Sequence, residues 1–243
     1  RRLRAAGCVV TLSGEGADEF FGGYELPMWQ AWEWSRRHER ESGGLFQLKS
    51  NAWVGPQLKP IVLRPEVWAA AEHDTALASF YEDEFAAIEA QPPLDFERHD
   101  PAASRVQHHL RFYQRINLLG LLQRLDTATM LESVEGRTPL ADLRIAALAN
   151  SLPLSCKYEP NRGAAGTKLA LRRAFAEVLP TEVVSRTKAS FPLPFQQWMI
   201  DRVDLLRTST FARAIFNDEA VESVCADPGR LWNMAWPMIN IAM

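Results

Sequence analysis

Residues 8–12, Cys-Val-Val-Thr-Leu, form a short β-prone run that breaks off at Ser13-Gly14-Glu15-Gly16 and continues as Ala17-Asp18-Glu19-Phe20-Phe21-Gly22-Gly23-Tyr24. No other stretch constrains the fold as much. A short apolar run without alternation is the pattern of a strand buried on both faces, as in a parallel sheet. Gly14 and Gly16 let the backbone turn sharply and approach a ligand with no Cβ in the way. The carboxylates of Glu15, Asp18 and Glu19 then fall just beyond the carboxyl end of the strand, the edge of an open α/β sheet where ligands sit. Acids in a first helical turn also suit the helix dipole, so spacing alone leaves a structural role open.

The whole string from Ser13 to Tyr24 is more specific than its spacing. It resembles the second nucleotide-site motif of the asparagine synthetase family, glutamine-dependent amidotransferases that form an acyl-adenylate.

Composition sets outer bounds. With 47% hydrophobic and 23% charged residues in 243, the chain reads as an ordered globular protein. A net charge of −3 offers no basic field for a phosphate backbone, so nucleic acid is not an expected partner. Cys8, Cys156 and Cys225 are odd in number and scattered, which fits a reducing cytoplasm and neither a disulfide framework nor a zinc site. No apolar run approaches the about 18 residues of a membrane span, and no signal-type segment opens the chain. The chain starts at Arg1 without Met, a few residues before the strand, and has few other strand candidates. We therefore expect the C-terminal piece of a longer protein with most of its sheet elsewhere.

Residues 25–40 read as an amphipathic helix packing Met28, Trp29, Trp32 and Trp34. Ser42-Gly43-Gly44 mimics the start of the family's pyrophosphate loop, but Phe46 and Gln47 stand where an Asp and a Ser belong, and no apolar strand precedes it. A turn is expected there. Pro56, Pro60 and Pro65 exclude a long helix over 51–67. Thr75 caps a helix to Ala90, ended by Pro92-Pro93. The five histidines, His38, His73, His99, His108 and His109, lie in charged surroundings without a metal-ligand spacing.

Residues 102–125 read as one long helix, apolar almost all round in its later half and so buried on most sides. The run from Asp126 to Asp142 follows, with Glu135-Gly136-Arg137 and Pro139-Leu140-Ala141-Asp142 at the offsets of the family's second block. Glu135 and Arg137 are expected to hold a loop as an ion pair, and Asp142 to cap a helix over Leu143–Leu152. A third block runs from Gly166 to Pro180. Thr167 is the expected N-cap, with Leu171, Phe175 and Val178 as an apolar stripe. Lys168 in the first turn opposes the helix dipole, which favours an anionic ligand beside it. In Arg186-Thr187-Lys188, an extended backbone ahead of Pro192 puts Arg186 and Lys188 on one side, able to converge on a polyanion. Lys157 lies outside the matched blocks and reads as a lysine without a chemical role. Trp198, Trp232 and Trp236 are read as packing on terminal helices.

These blocks follow the family's order and cover most of the chain, with 51–93 unmatched. The resemblance implies an α/β fold: the mostly helical C-terminal part of a parallel-sheet adenine-nucleotide-binding domain of the PP-loop ATP pyrophosphatase, HUP-like kind. That is one domain over 1–243, incomplete at its N-terminus. It implies Mg-ATP chemistry in which a carboxylate, aspartate in the name-giving enzyme, attacks the α-phosphate and an amine or ammonia displaces AMP. Lys168 and Lys188 would stabilise the departing pyrophosphate, Asp18 would hold Mg²⁺, and Ser13 and Gly14 would contact the nucleotide through backbone groups. Glu15 matches the family's acid tied to forming the adenylate. A glutaminase domain is expected upstream, and a homodimer is compatible with the pattern. Asparagine synthesis, a related lactam- or ring-forming amide synthesis, and a non-catalytic scaffold are the readings considered. Glu15, Asp18, Lys168 and Lys188 together argue against the last.

Overall fold

A computed structural model describes residues 1–187 and 193–243. Lys188, with the Phe191-Pro192 step expected to extend it, lies outside the described residues. The described chain is mostly helical, with one two-stranded parallel sheet: β1, Val10–Leu12, beside β2, Glu135–Arg137, in the register Val10–Glu135, Thr11–Gly136 and Leu12–Arg137. The chain divides into two compact units, one of Arg1–Gly43 and Glu84–Lys188, the other of Gly44–Asp83 and Ala189–Met243.

Two expectations about the sheet change. The run expected as a doubly buried strand has Leu12 71% and Val9 58% exposed, because β1 pairs with β2 alone among the described residues. The segment read as a loop held by Glu135 and Arg137 is itself the partner strand. The expected ion pair sits on it, with Arg137 Nε 2.9 Å from Glu135 Oε1.

The core of the first unit forms where helix Glu25–Arg36 packs on helix Pro101–Arg115. The latter begins well. Pro101 occupies its first turn, where a missing N–H costs nothing, and Asp100 Oδ1 accepts from Ala103 N at 2.9 Å. Val106, His109, Leu110 and Tyr113 follow at i, i+3, i+4, i+7, and all are buried. They face Met28, Ala31 and Trp34, with Trp34 edge-on to Phe85 at 6.0 Å. His109 therefore sits in the interior, where burial lowers its pKa to about 3, while His108 is part-buried with Arg111, Glu97 and Arg105 nearby. Among the described residues no group of three or more His, Cys, Asp or Glu could hold a metal ion.

The single helix expected over 102–125 is two. Ile116, at φ −101°, separates Pro101–Arg115 from Asn117–Met130, a break that hydrophobic periodicity running through it conceals. Of the apolar residues in the second helix only Leu118 is buried, since one stripe meets helix Pro101–Arg115 and β2 while Leu119 faces outward. Residues 42–44 also differ from the expected turn, because Gly43 and Gly44 open helix Gly43–Asn51. A Cβ on Gly43 would lie 1.9 Å from the Phe85 ring, and one on Gly44 2.5 Å from Glu82 Cα, so both must be glycine for close packing. The helix expected from Thr75 is found as Thr75–Glu89, and Asp142 caps Leu143–Ser151 by accepting from Arg144 N at 2.8 Å.

In the second unit the prolines do limit helix length. Pro56, Pro60 and Pro65 each stand in the first turn of a short helical piece, at Pro56–Leu58, Lys59–Val62 and Pro65–Ala70. Helices Phe195–Thr208, Asp218–Ala226 and Trp232–Ala242 bury Met199, Leu206, Val221, Val224 and Met238. Trp232 and Trp236 pack with Trp53 and Phe195 and lie part-buried against the core. No described helix is long and apolar enough to cross a membrane.

Lys157 is not a surface residue. Its side chain is wholly buried in the first unit, and Nζ donates to Gln107 Oε1 at 2.8 Å while Gln107 Nε2 donates to Leu152 O. Desolvation, with repulsion from Arg111, lowers its pKa from 10.5 to about 7. Between those values the folded chain binds fewer protons at this position than the unfolded chain, so stability rises with pH across that window. Lys157→Met, which keeps the volume and removes the titration, is expected to lose this rise. Thermal melts from pH 7 to 10 check it, and parallel profiles for the two proteins would refute it.

Candidate functional site

The turn after β1 stays tied to β2: Ser13 N donates to Arg137 O at 2.8 Å, and Ser13 Oγ accepts from Glu15 N at 3.4 Å. Gly14 is exposed with open space around it, leaving its backbone approachable. Gly16, at φ +94°, needs to be glycine for its conformation and because a Cβ would meet Ala141 N at 3.1 Å. Helix Ala17–Phe21 follows. Phe20 and Phe21 anchor it against Leu118 and Ala149, leaving Asp18 half-buried on another side.

Asp18 meets the third block here. Lys168 Nζ lies 2.7 Å from Asp18 Oδ1, with the two side chains 26% and 21% exposed. Sequence reading put Thr167 at the N-cap and Lys168 inside the first turn. Instead Lys168 is the N-cap of helix Leu169–Ala174, in the left-handed region at φ +53° and ψ +35°. Buried Thr167 donates its hydroxyl to Ala164 O. The left-handed conformation costs a non-glycine residue about 1–2 kcal/mol, and such outliers persist where surrounding structure holds them. The holders are visible. Lys157 O accepts from Leu169 N at 3.1 Å, and Arg172 donates to the carbonyls of Thr167, Ala164, Val184 and Arg186. The helix ends at Ala174, so the expected stripe fails beyond it: Phe175 and Val178 are exposed.

Gly23 is the floor beneath the pair. A Cβ there would fall 1.8 Å from Asp18 Oδ1 and 2.1 Å from Lys168 Cε. Tyr24 adds a wall. Its hydroxyl donates to the buried Glu19 carboxylate, and desolvation with that bond raises the Tyr24 pKa far above its ordinary value, keeping it a neutral donor. Gln114 Nε2 holds Glu19 O at 3.3 Å and joins Asn150.

Of the expected site residues, Asp18 and Lys168 are brought together, and Ser13, Gly14 and Glu15 share the turn that leads to them. Glu15 Oε1 reaches Arg124 Nη2 at 4.0 Å. Ser13 commits its N–H to β2, so its own contribution toward a ligand is narrower than expected. Arg186 is extended at φ −55° and ψ 132°, and its carbonyl is held by Arg172. Gly23, Tyr24, Arg124 and Arg172 were missed. Gly23 and Tyr24 close the matched string from Ser13 and Arg172 lies in the third block, so these three had a signal in the sequence, whereas Arg124 had none.

Comparison with known proteins agrees with these blocks. The family model for asparagine synthase matches residues 1–243. A Mycobacterium tuberculosis protein provisionally described as a glutamine-hydrolysing asparagine synthetase is 31% identical over 209 residues, 78% of this chain and 30% of that protein. Glutamine-hydrolysing asparagine synthetase 3 of Bacillus subtilis is 30% identical over 188 residues, 76% of this chain and 26% of its own length. Asparagine synthetase 1 of the same organism is 28% identical over 137 residues, half of this chain and 21% of its own. The chain belongs to the asparagine synthase family, and its matches span under a third of these longer relatives.

The floor makes a prediction about stability. Gly23→Ala puts a Cβ onto the ends of both side chains, which must swing apart and break the pair, and should cost about 1–3 kcal/mol by overpacking. In a background carrying Asp18→Ala and Lys168→Ala, which removes the colliding atoms, the cost should shrink by about 0.5–3 kcal/mol. Urea melts of the four proteins measure this. Equal costs in both backgrounds would show that Gly23 serves something other than the pair.

Proposed function

We propose that this chain is the synthetase part of a longer glutamine-dependent enzyme that makes asparagine from aspartate, through an acyl-adenylate formed with ATP. The observation that carries the reading is the Asp18–Lys168 pair, held over Gly23 just past β1 with Lys168 in a strained conformation. Family membership and the names of the relatives support it, and favour asparagine over another amide product. On the same reading the domain is of the PP-loop, HUP-like kind, and a glutaminase domain upstream supplies ammonia in the cytoplasm.

The chain's own groups suit the chemistry. ATP brings negative charge to a turn where Gly14 exposes backbone, and the aspartate side-chain carboxylate attacks the α-phosphate while pyrophosphate leaves. Lys168 provides a fixed ammonium for that departing charge, and Lys188 is proposed as its neighbour. Asp18 is a hard oxygen donor of the sort that holds Mg²⁺ together with phosphate oxygens, one carboxylate sufficing where the substrate completes the shell. Bound there, Mg²⁺ would neutralise phosphate charge. Glu15 faces the same turn as the acid associated with adenylate formation, its carboxylate within reach of Arg124. Ammonia then attacks the acyl carbon, and AMP leaves.

In the full-length protein, Lys168→Ala and Lys188→Ala should each lower the rate of pyrophosphate release by about two to three powers of ten at saturating ATP and aspartate, the scale of losing one preorganised electrostatic partner. Arg202→Ala, an exposed change, serves as control and should shift stability by no more than about 0.5 kcal/mol. A normal rate in both lysine variants, with normal melts, would remove the proposed role.

A further inference from the structure

The second unit contains a pocket of about 340 Å³, the size of a small-ligand site. Trp53, Val62, Leu63, Phe216, Met238 and Ile241 line most of it, and its charged groups are Lys59 and Asp74, paired with each other at the wall. Asp74 reaches that place by an unusual route. Glu72, His73 and Asp74 are three consecutive non-glycine residues with left-handed backbone, at φ +48°, +55° and +65°. Each is held against its preference, and strain of this kind collects where it serves a ligand. A pair about four-fifths buried has its attraction largely offset by the desolvation of both charges, so it does not account for three strained residues.

An apolar chamber ending in one cation beside one anion matches a small zwitterion with an apolar body. We propose that this pocket binds a free amino acid with a large aliphatic or aromatic side chain, its carboxylate on Lys59, its ammonium on Asp74 and its side chain among Trp53, Met238 and Ile241. The site is separate from the turn after β1, and the proposal does not depend on the adenylation reading.

Calorimetric titration of the intact protein with L-leucine and L-phenylalanine, in excess aspartate and ATP, tests it. 3-Methylbutylamine and 4-methylpentanoate, each leucine without one charged group, are the comparison ligands. We expect binding of at least one amino acid, and at least tenfold weaker binding of both single-charge analogues. Lys59→Met should abolish binding. Asp74→Gly, which relieves the backbone strain but leaves Lys59 without its partner, should also abolish binding in a protein that still unfolds cooperatively. Ile241→Trp, which fills the pocket from its rim, should block binding in a normally folded protein. No binding of either amino acid, equal binding of the analogues, or binding that survives Asp74→Gly or Ile241→Trp would each overturn the proposal.

Discussion

The meeting of Asp18 and Lys168 depends on features contributed by distant parts of the chain. Gly23 removes the Cβ that would collide with both partners. Lys168 adopts a left-handed backbone, and Arg172 and the Lys157 carbonyl secure the turn on either side of it. Beneath Asp18, Phe20 and Phe21 fix helix Ala17–Phe21 in the apolar interior. The ion pair itself is part-exposed and worth little as a stabilising contact. Local rules are broken to assemble it, which is the expected mark of a site rather than of a scaffold.

Much of this was legible from residue order. The glycines at 14 and 16 and the acids after them suit plain structure as well and were read as a site through the resemblance of the whole string, whereas the lysine at 168 was a poor choice for the first turn expected there. Helix starts written in side-chain chemistry, such as Asp142, were also readable. What escaped was everything set by partners distant in sequence. The exposure of β1 depends on how many strands lie beside it, which a five-residue run does not encode. β2 was hidden in Glu-Gly-Arg, three residues with no strand propensity, paired only because β1 supplies the register. The break at Ile116 was masked by periodicity that continues across it. Lys157 shows the same limit, since a buried lysine is recognisable only from Gln107 and the surrounding core.

The two units carry different features of the chain. All the described residues matched to the family's motifs lie in the first unit, whereas the proline-punctuated stretch of 51–67 that the resemblance leaves unmatched lies in the second. The second unit also carries the consecutive left-handed residues at 72–74 and an apolar pocket. The family model nonetheless runs through that stretch, matching residues 1–243.

The central claim is that a carboxylate oxygen attacks the α-phosphate of ATP. Aspartate labelled with ¹⁸O in its side-chain carboxylate, turned over by the full-length protein with ATP and ammonia, tests this directly by mass analysis of the nucleotide product. The account predicts AMP carrying one ¹⁸O atom, together with unlabelled pyrophosphate. ADP as the nucleotide product, with the label in free phosphate, would contradict it.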